Sequence, residues 1–129
     1  MPPASTTLHE SADQLKPQTI NLHRAVVSLI EELEAFDWYH QRAEACTDSQ
    51  LQAIIRHNMN EEVEHACMTL EWIRRNVPKF DEALKTYLFT TGEITELEEA
   101  ATQGREPSSK SNRSSVRATV GNMKGSGHD

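Results

Sequence analysis

Apolar residues recur along most of this chain at alternating steps of four and three, the period of a helix with one buried stripe. In the first third the stripe is Leu22, Val26, Leu29, Leu33 and Phe36, widened by Ala25, Ile30, Trp38 and Tyr39. Pro17 suits the first turn of a helix, so a long helix is predicted from there to about Ala45–Cys46. Thr47-Asp48-Ser49-Gln50 has the form of a capping box and predicts the start of a second helix. A connection of about two to four residues forces the two into an antiparallel hairpin. The second helix should reach about Asn76, with Arg74 and Arg75 in a last turn whose dipole favours cations, and Val77-Pro78 ends it. Phe80, Leu84, Tyr87 and Leu88 predict a short third helix over Phe80–Phe89. Thr91-Gly92 breaks that helix, and Ile94 to Ala101 predicts a last turn or two. Residues 1–16 read as a polar arm with a short helical piece near Leu8–Leu15.

The second helix carries a seam of Leu51, Ile55, Asn58, Glu62, His65, Thr69 and Trp72. Its apolar ends predict a buried face, yet its middle holds a carboxylate and an imidazole three residues apart. Burying an unpaired carboxylate is costly unless it is paired or coordinates a metal. Glu-x-x-His on a helix is the ligand pair of ferritin-like di-iron bundles. The same two side chains can also hydrogen-bond each other in a partly wet seam, and spacing alone does not separate these readings.

With 129 residues the chain has room for one domain. Residues 1–100 carry 8 Lys/Arg against 18 Asp/Glu, a charge of -10, whereas residues 101–129 carry 5 against 2, a charge of +3. The acidic body disfavours nucleic acid and attracts cations, and the basic end reads as a separate segment. After Gln103 hydrophobes thin out among Ser, Lys, Arg, Gly and Asn, the composition of a disordered tail. No run approaches the roughly 18 apolar residues of a membrane span, and no signal-peptide core is expected. Cys46 and Cys67 fit neither a disulfide framework nor a zinc spacing, and free thiols in a cytosolic protein are expected.

With Leu33 as the centre of the first stripe, Phe36 lies about 60° and Ala25 about 80° to one side, at 100° per residue. Glu32 follows at about 100° and Tyr39 at about 120° on that flank, while Glu31 and Glu34 point to the other side. Glu32 with Glu62 and His65 supplies one carboxylate and one Glu-x-x-His, half of a di-iron ligand set. A two-fold dimer would complete it with four carboxylates and two imidazoles, a charge that matches two divalent ions. Oxygen-rich ligation of this kind suits iron or manganese. Two long helices and a short third cannot enclose a good core, which independently predicts an oligomer. The fold class expected is therefore all-α, an antiparallel hairpin amounting to half of a ferritin-like four-helix bundle, completed by dimerisation. Tyr39 can turn its hydroxyl to a liganding carboxylate or simply pack with it at the rim. Trp38 and Trp72 are expected in core or interface. Glu31 with Glu34, and His57 with Glu61 and Glu64, form outer acidic faces that are either solvated or hold incoming cations weakly.

Asn21 to Tyr39 (NLHRAVVSLIEELEAFDWY), Asn58 to Arg75 (NMNEEVEHACMTLEWIRR) and Thr86-Tyr87-Leu88-Phe89-Thr90 resemble the encapsulated ferritins of bacterial encapsulin nanocompartments. The resemblance covers roughly residues 8–98. It implies a helical hairpin whose di-iron ferroxidase centre forms between two chains, with dimers assembling into a decameric ring. It implies that Glu32, Glu62 and His65 are the iron ligands and that Tyr39 lies against the centre. Glu31 and Glu34, with Trp38 nearby, would line the metal's way in, and His57, Glu61 and Glu64 would match a peripheral position for calcium or another divalent cation. Ala118-Thr119-Val120-Gly121-Asn122-Met123-Lys124-Gly125 looks like an encapsulin cargo-loading peptide, with Met123 where Leu is usual. Residues 101–117 would then be its linker and residues 118–129 the loading segment, placing the protein in the cytoplasm within the shell lumen. The expected activity is oxidation of Fe(II) to Fe(III) for mineral storage. Two other readings compete. One is a metal-stapled assembly module without turnover; the other is a rubrerythrin-like di-iron peroxidase, against which the lack of Cys-x-x-Cys pairs counts.

Overall fold

The computed structural model describes residues 6–104, all helix and connection, and α1 spans Pro17–Ala45, α2 Ser49–Asn76, α3 Pro78–Tyr87 and α4 Ile94–Gly104. The chain forms two compact units divided after Val77. The linker expected over residues 101–117 begins inside α4, which runs on to Gly104, and the rest of it, with the loading segment of residues 118–129, lies outside the described residues.

The first unit is the antiparallel hairpin of α1 and α2. The N-terminal arm contributes a short 3-10 turn, Ala12–Gln14, and extended backbone at Lys16 delivers Pro17 into the first turn of α1. Cys46 closes that helix by donating its N–H to the Arg42 carbonyl at 2.9 Å. The cap of α2 falls one residue later than the capping box predicts. Asp48 is the cap, its carboxylate accepting the Leu51 N–H at 2.8 Å. Gln50 therefore takes no capping-box role. Gln52 instead reaches across the turn, and its amide Nε2 donates to the carbonyls of Ala43 at 2.6 Å and Cys46 at 3.2 Å. These are orphan carbonyls of the end of α1, so one side chain of α2 both satisfies them and fixes the hairpin.

The contact between the helices departs from the expected stripe. Ala43, Ala66 and Ile73 are the buried residues of the described chain, whereas Leu33 is 53% exposed and Val26 37%. On α1 the inward direction thus runs through Ala43, Ala25 and Phe36, about 60–80° round from Leu33. Small side chains let two backbones approach closely, and the bulkier Leu33 and Val26 stay on an open face. That rotation carries Glu32 from the flank of the stripe to the edge of the hairpin contact. The α2 seam is also more open than expected, with Leu51 50% and Trp72 36% exposed and Met68 and Ile54 exposed beside it. A single hairpin has no further layer to cover that face.

The second unit holds α3 and α4. Val77 takes the extended backbone that a following proline requires, and Pro78 opens α3 two residues earlier than Phe80. The end of α3 is closed by Thr90 Oγ1, which donates to the Tyr87 carbonyl at 2.7 Å, and Phe89 adopts a left-handed φ of 60°. Glycine usually takes this place after a helix, and a Cβ there is strained. The final segment is longer than a turn or two: α4 has 11 residues. No described helix is long and apolar enough to cross a membrane.

Candidate metal centre

Glu32 from the middle of α1 and Glu62 with His65 from the middle of α2 converge, with one ligand atom of each within 4.8 Å of the others. They are the one group of three or more potential metal ligands among the described residues. His65 Nδ1 is 3.2 Å from Glu62 Oε1 in hydrogen-bonding geometry and 3.0 Å from Glu32 Oε2. The second approach is short but off the line of a hydrogen bond, so Glu32 Oε2 is buried without a hydrogen-bond partner. A buried carboxylate oxygen without a hydrogen bond, beside a second carboxylate and an imidazole nitrogen, fits the donor set of an oxygen-rich metal site.

The charges tell the same story. Burial pushes the Glu32 carboxyl above its ordinary range, and the closeness and negative charge of Glu62 push it further, against an opposing pull from His65. The His65 imidazole is raised as well, first through its hydrogen bond to Glu62 and despite some desolvation. Glu32 and His65 therefore hold protons more tightly than free side chains would. A metal ion and protons compete for the same three groups, and binding releases the protons that they hold.

The other face of the imidazole adds a contact that spacing alone did not give. His65 Nε2 lies 3.9 Å from Glu61 Oε1, one turn back on α2. At that distance Glu61 is an ion-pair neighbour of Nε2 rather than a hydrogen-bond acceptor, while Nδ1 faces the cluster. The sequence groups Glu61 with His57 and Glu64, and all three are exposed in the hairpin. Glu31 and Glu34 are exposed on α1, as is Trp38 at 51%. Neither outer set is drawn into a metal-holding group with the triad. Tyr39 is half-buried and carries the Arg42 guanidinium 5.4 Å above its ring, a cation–π contact that the apolar pattern concealed. Cys46 and Cys67 are free thiols.

Comparisons with known proteins meet the same segment. The EncFtn-like family model matches residues 7–91. A Rhodospirillum rubrum protein named encapsulated ferritin-like protein is 57% identical over 104 residues, covering 81% of this chain and 74% of the relative. A Thermotoga maritima ferritin-like protein is 50% identical over 98 residues, covering 76% of this chain and 86% of its own length. A crystal structure of a Nitrosomonas europaea protein superimposes with a TM-score of 0.66 at 54% identity, over 67% of this chain and 96% of that one. The matched region contains both helices of the hairpin and all three members of the cluster, and the chain belongs to the EncFtn-like family, the encapsulated ferritins.

Proposed function

We propose that this protein is a ferroxidase. It takes Fe(II) as substrate at a di-iron centre shared between two copies and delivers Fe(III) for mineral stored inside an encapsulin shell. The observation that carries this reading is the buried Glu32 Oε2, without a hydrogen bond and gathered with Glu62 and His65. Three ligands are half of the set in which two helices give a Glu each and two more give a Glu-x-x-His each. A second copy related by a two-fold axis supplies the rest, and the open face of the hairpin is where it would sit.

The electrons come from iron: each Fe(II) gives up one to O2 or another oxidant, and the chain supplies binding and geometry. Glu32 and Glu62 hold the ions through carboxylate oxygens, and His65 does so through Nδ1, with Glu61 behind its Nε2. Tyr39 packs against the centre and acts with these three. Glu31, Glu34 and Trp38 form the way in for Fe(II), and His57, Glu61 and Glu64 a peripheral position for calcium or another divalent cation. Dimers assemble further into a decameric ring, and residues 118–125 bind the shell protein, placing the cargo in a cytoplasmic compartment.

The test is Fe(II) oxidation under air, followed by absorbance, with sizing on the same samples. The native protein should consume Fe(II) over many turnovers at a rate well above buffer, and Glu32→Ala should fall to the buffer rate. A metal-stapled module would assemble with Fe(II) and yet never exceed buffer. Peroxide outpacing O2 would favour the peroxidase reading.

A further inference from the structure

The seam of α2 has the same chemistry in both directions about the midpoint between Glu62 and His65. Those two stand one and a half residues from that point, Asn58 and Thr69 five and a half, and Ile55 and Trp72 eight and a half. Equal distances follow from any four-and-three seam centred on a three-residue step. The matched side chains do not: ligand answers ligand, small polar group answers small polar group, and apolar group answers apolar group. The match ends at Leu51 and Asn76, where Asn76 is already occupied, donating to the Trp72 carbonyl and accepting from Gln18.

Asn58 and Thr69 are both half-buried, and among the described residues neither side chain has a hydrogen-bond partner. Thr69 differs in this from Thr86 and Thr102, whose hydroxyls donate back to carbonyls of their own helices at 3.1 and 3.0 Å. Thr69 instead borders an open groove of about 350 Å³ between α1 and α2, lined also by Arg24, Ala25, Ser28, Met68 and Trp72. A carboxamide and a hydroxyl flanked by Ile55 and Trp72 are poorly placed to be covered unless each meets a polar group.

We infer that α2 packs antiparallel on α2 of a second copy about a two-fold axis between Glu62 and His65, with Asn58 hydrogen-bonded to the partner subunit's Thr69 and Thr69 to the partner subunit's Asn58. The partner subunit's Ile55 then meets Trp72 at the groove. The inference rests on the shared-centre reading and adds to it what sets the register. A slip of one seam step moves the helices by about 5 Å. It leaves both amides and both hydroxyls unpaired and separates the two half-sites. Asn58 and Thr69 are thus positioning residues that hold the carboxylates of the two chains opposite each other.

The register is read by cross-linking full-length protein carrying Cys46→Ser and Cys67→Ser. Asn58→Cys and Thr69→Cys are placed in separate chains, Fe(II) is added anaerobically, and a short bis-maleimide follows. The mixture should shift to covalent dimer. Neither variant alone should do so, because like positions stand about 16 Å apart along the paired helices. An Fe(II)-dependent dimer in which either variant links to itself, or in which the mixture does not link, overturns the register and leaves the ferroxidase reading standing. No dimer with Fe(II) overturns the register and the shared centre together. As a second measurement, Asn58→Leu should weaken Fe(II)-driven dimerisation about tenfold by leaving the opposing hydroxyls unpaired. Adding Thr69→Val should recover most of that loss, and an equal further loss would contradict the pairing.

Discussion

Two acidic clusters, one around Glu71 on α2 and one joining Glu32 of α1 to Glu62 and His65 about two and a half turns away, show what distinguishes a carboxylate satisfied by its own helix from one left without a hydrogen bond. Glu71 is filled from its own helix: Arg74 donates to both of its oxygens at 2.7 Å, and Arg75 adds a third contact at 2.7 Å. Those guanidinium groups hold its carboxyl down at about 2. Glu32 lies in a more covered place and is pushed the opposite way, with Oε2 unbonded and another carboxylate beside it. Both clusters join acids to basic side chains, and counting charges would not separate them. The difference lies in stoichiometry and geometry. Glu71 has more donors than it needs, all within one turn and exposed to water. Glu32 and Glu62 share one imidazole across two helices.

The contrast can be broken first at Glu32. Glu32→Gln keeps the shape and removes the charge, and it should bring iron oxidation to the buffer rate while the thermal midpoint of the metal-free protein holds or rises. A large fall in that midpoint would mean that Glu32 is a structural residue after all. Next in size is assembly. Metal-free protein brings four carboxylates together across the proposed interface, which repel, so Fe(II) should drive the native chain to a larger species on sizing. Identical mass with and without Fe(II) would contradict a shared centre.

Gln52 tests the satisfied end of the comparison, since its amide closes the carbonyls of Ala43 and Cys46. Gln52→Ala should destabilise the hairpin by about 1–2 kcal/mol, read by denaturant unfolding, because it leaves orphan carbonyls at a part-buried helix end. The smallest effect is expected at Glu71. Its carboxyl is lowered from 4.5, so its contribution is complete above that value and fades as pH falls through about 2. Glu71→Gln should lower the thermal midpoint slightly at neutral pH, and its difference from native should shrink as the solution is acidified toward 2. Exposed ion pairs are worth little, and the shift should also diminish in high salt.

The helices and the ligand seam were legible because they rest on periodicity, and Glu62 and His65 stand out as polar residues where that period demands apolar ones. The face of α1 was less legible. A stripe weighted toward large hydrophobes centres on Leu33, but the helices touch through Ala43 and Ala66, whose small side chains give a weak signal and a close approach. The same weighting leaves Glu32 farther from the contact than it is. Asp48 took the cap from Thr47 because its carboxylate reaches the Leu51 N–H, a choice between adjacent good capping residues that composition does not make. Gln52 and Arg42 act through individual side-chain contacts that carry no period at all.

The most direct measurement is Fe(II) oxidation under air by three proteins side by side: native, Glu62→Ala and Glu71→Gln. The native protein and Glu71→Gln should oxidise iron at the same rapid rate, and Glu62→Ala should be indistinguishable from buffer. Oxidation retained by Glu62→Ala, or lost equally in Glu71→Gln, would contradict the assignment of the metal centre to Glu32, Glu62 and His65.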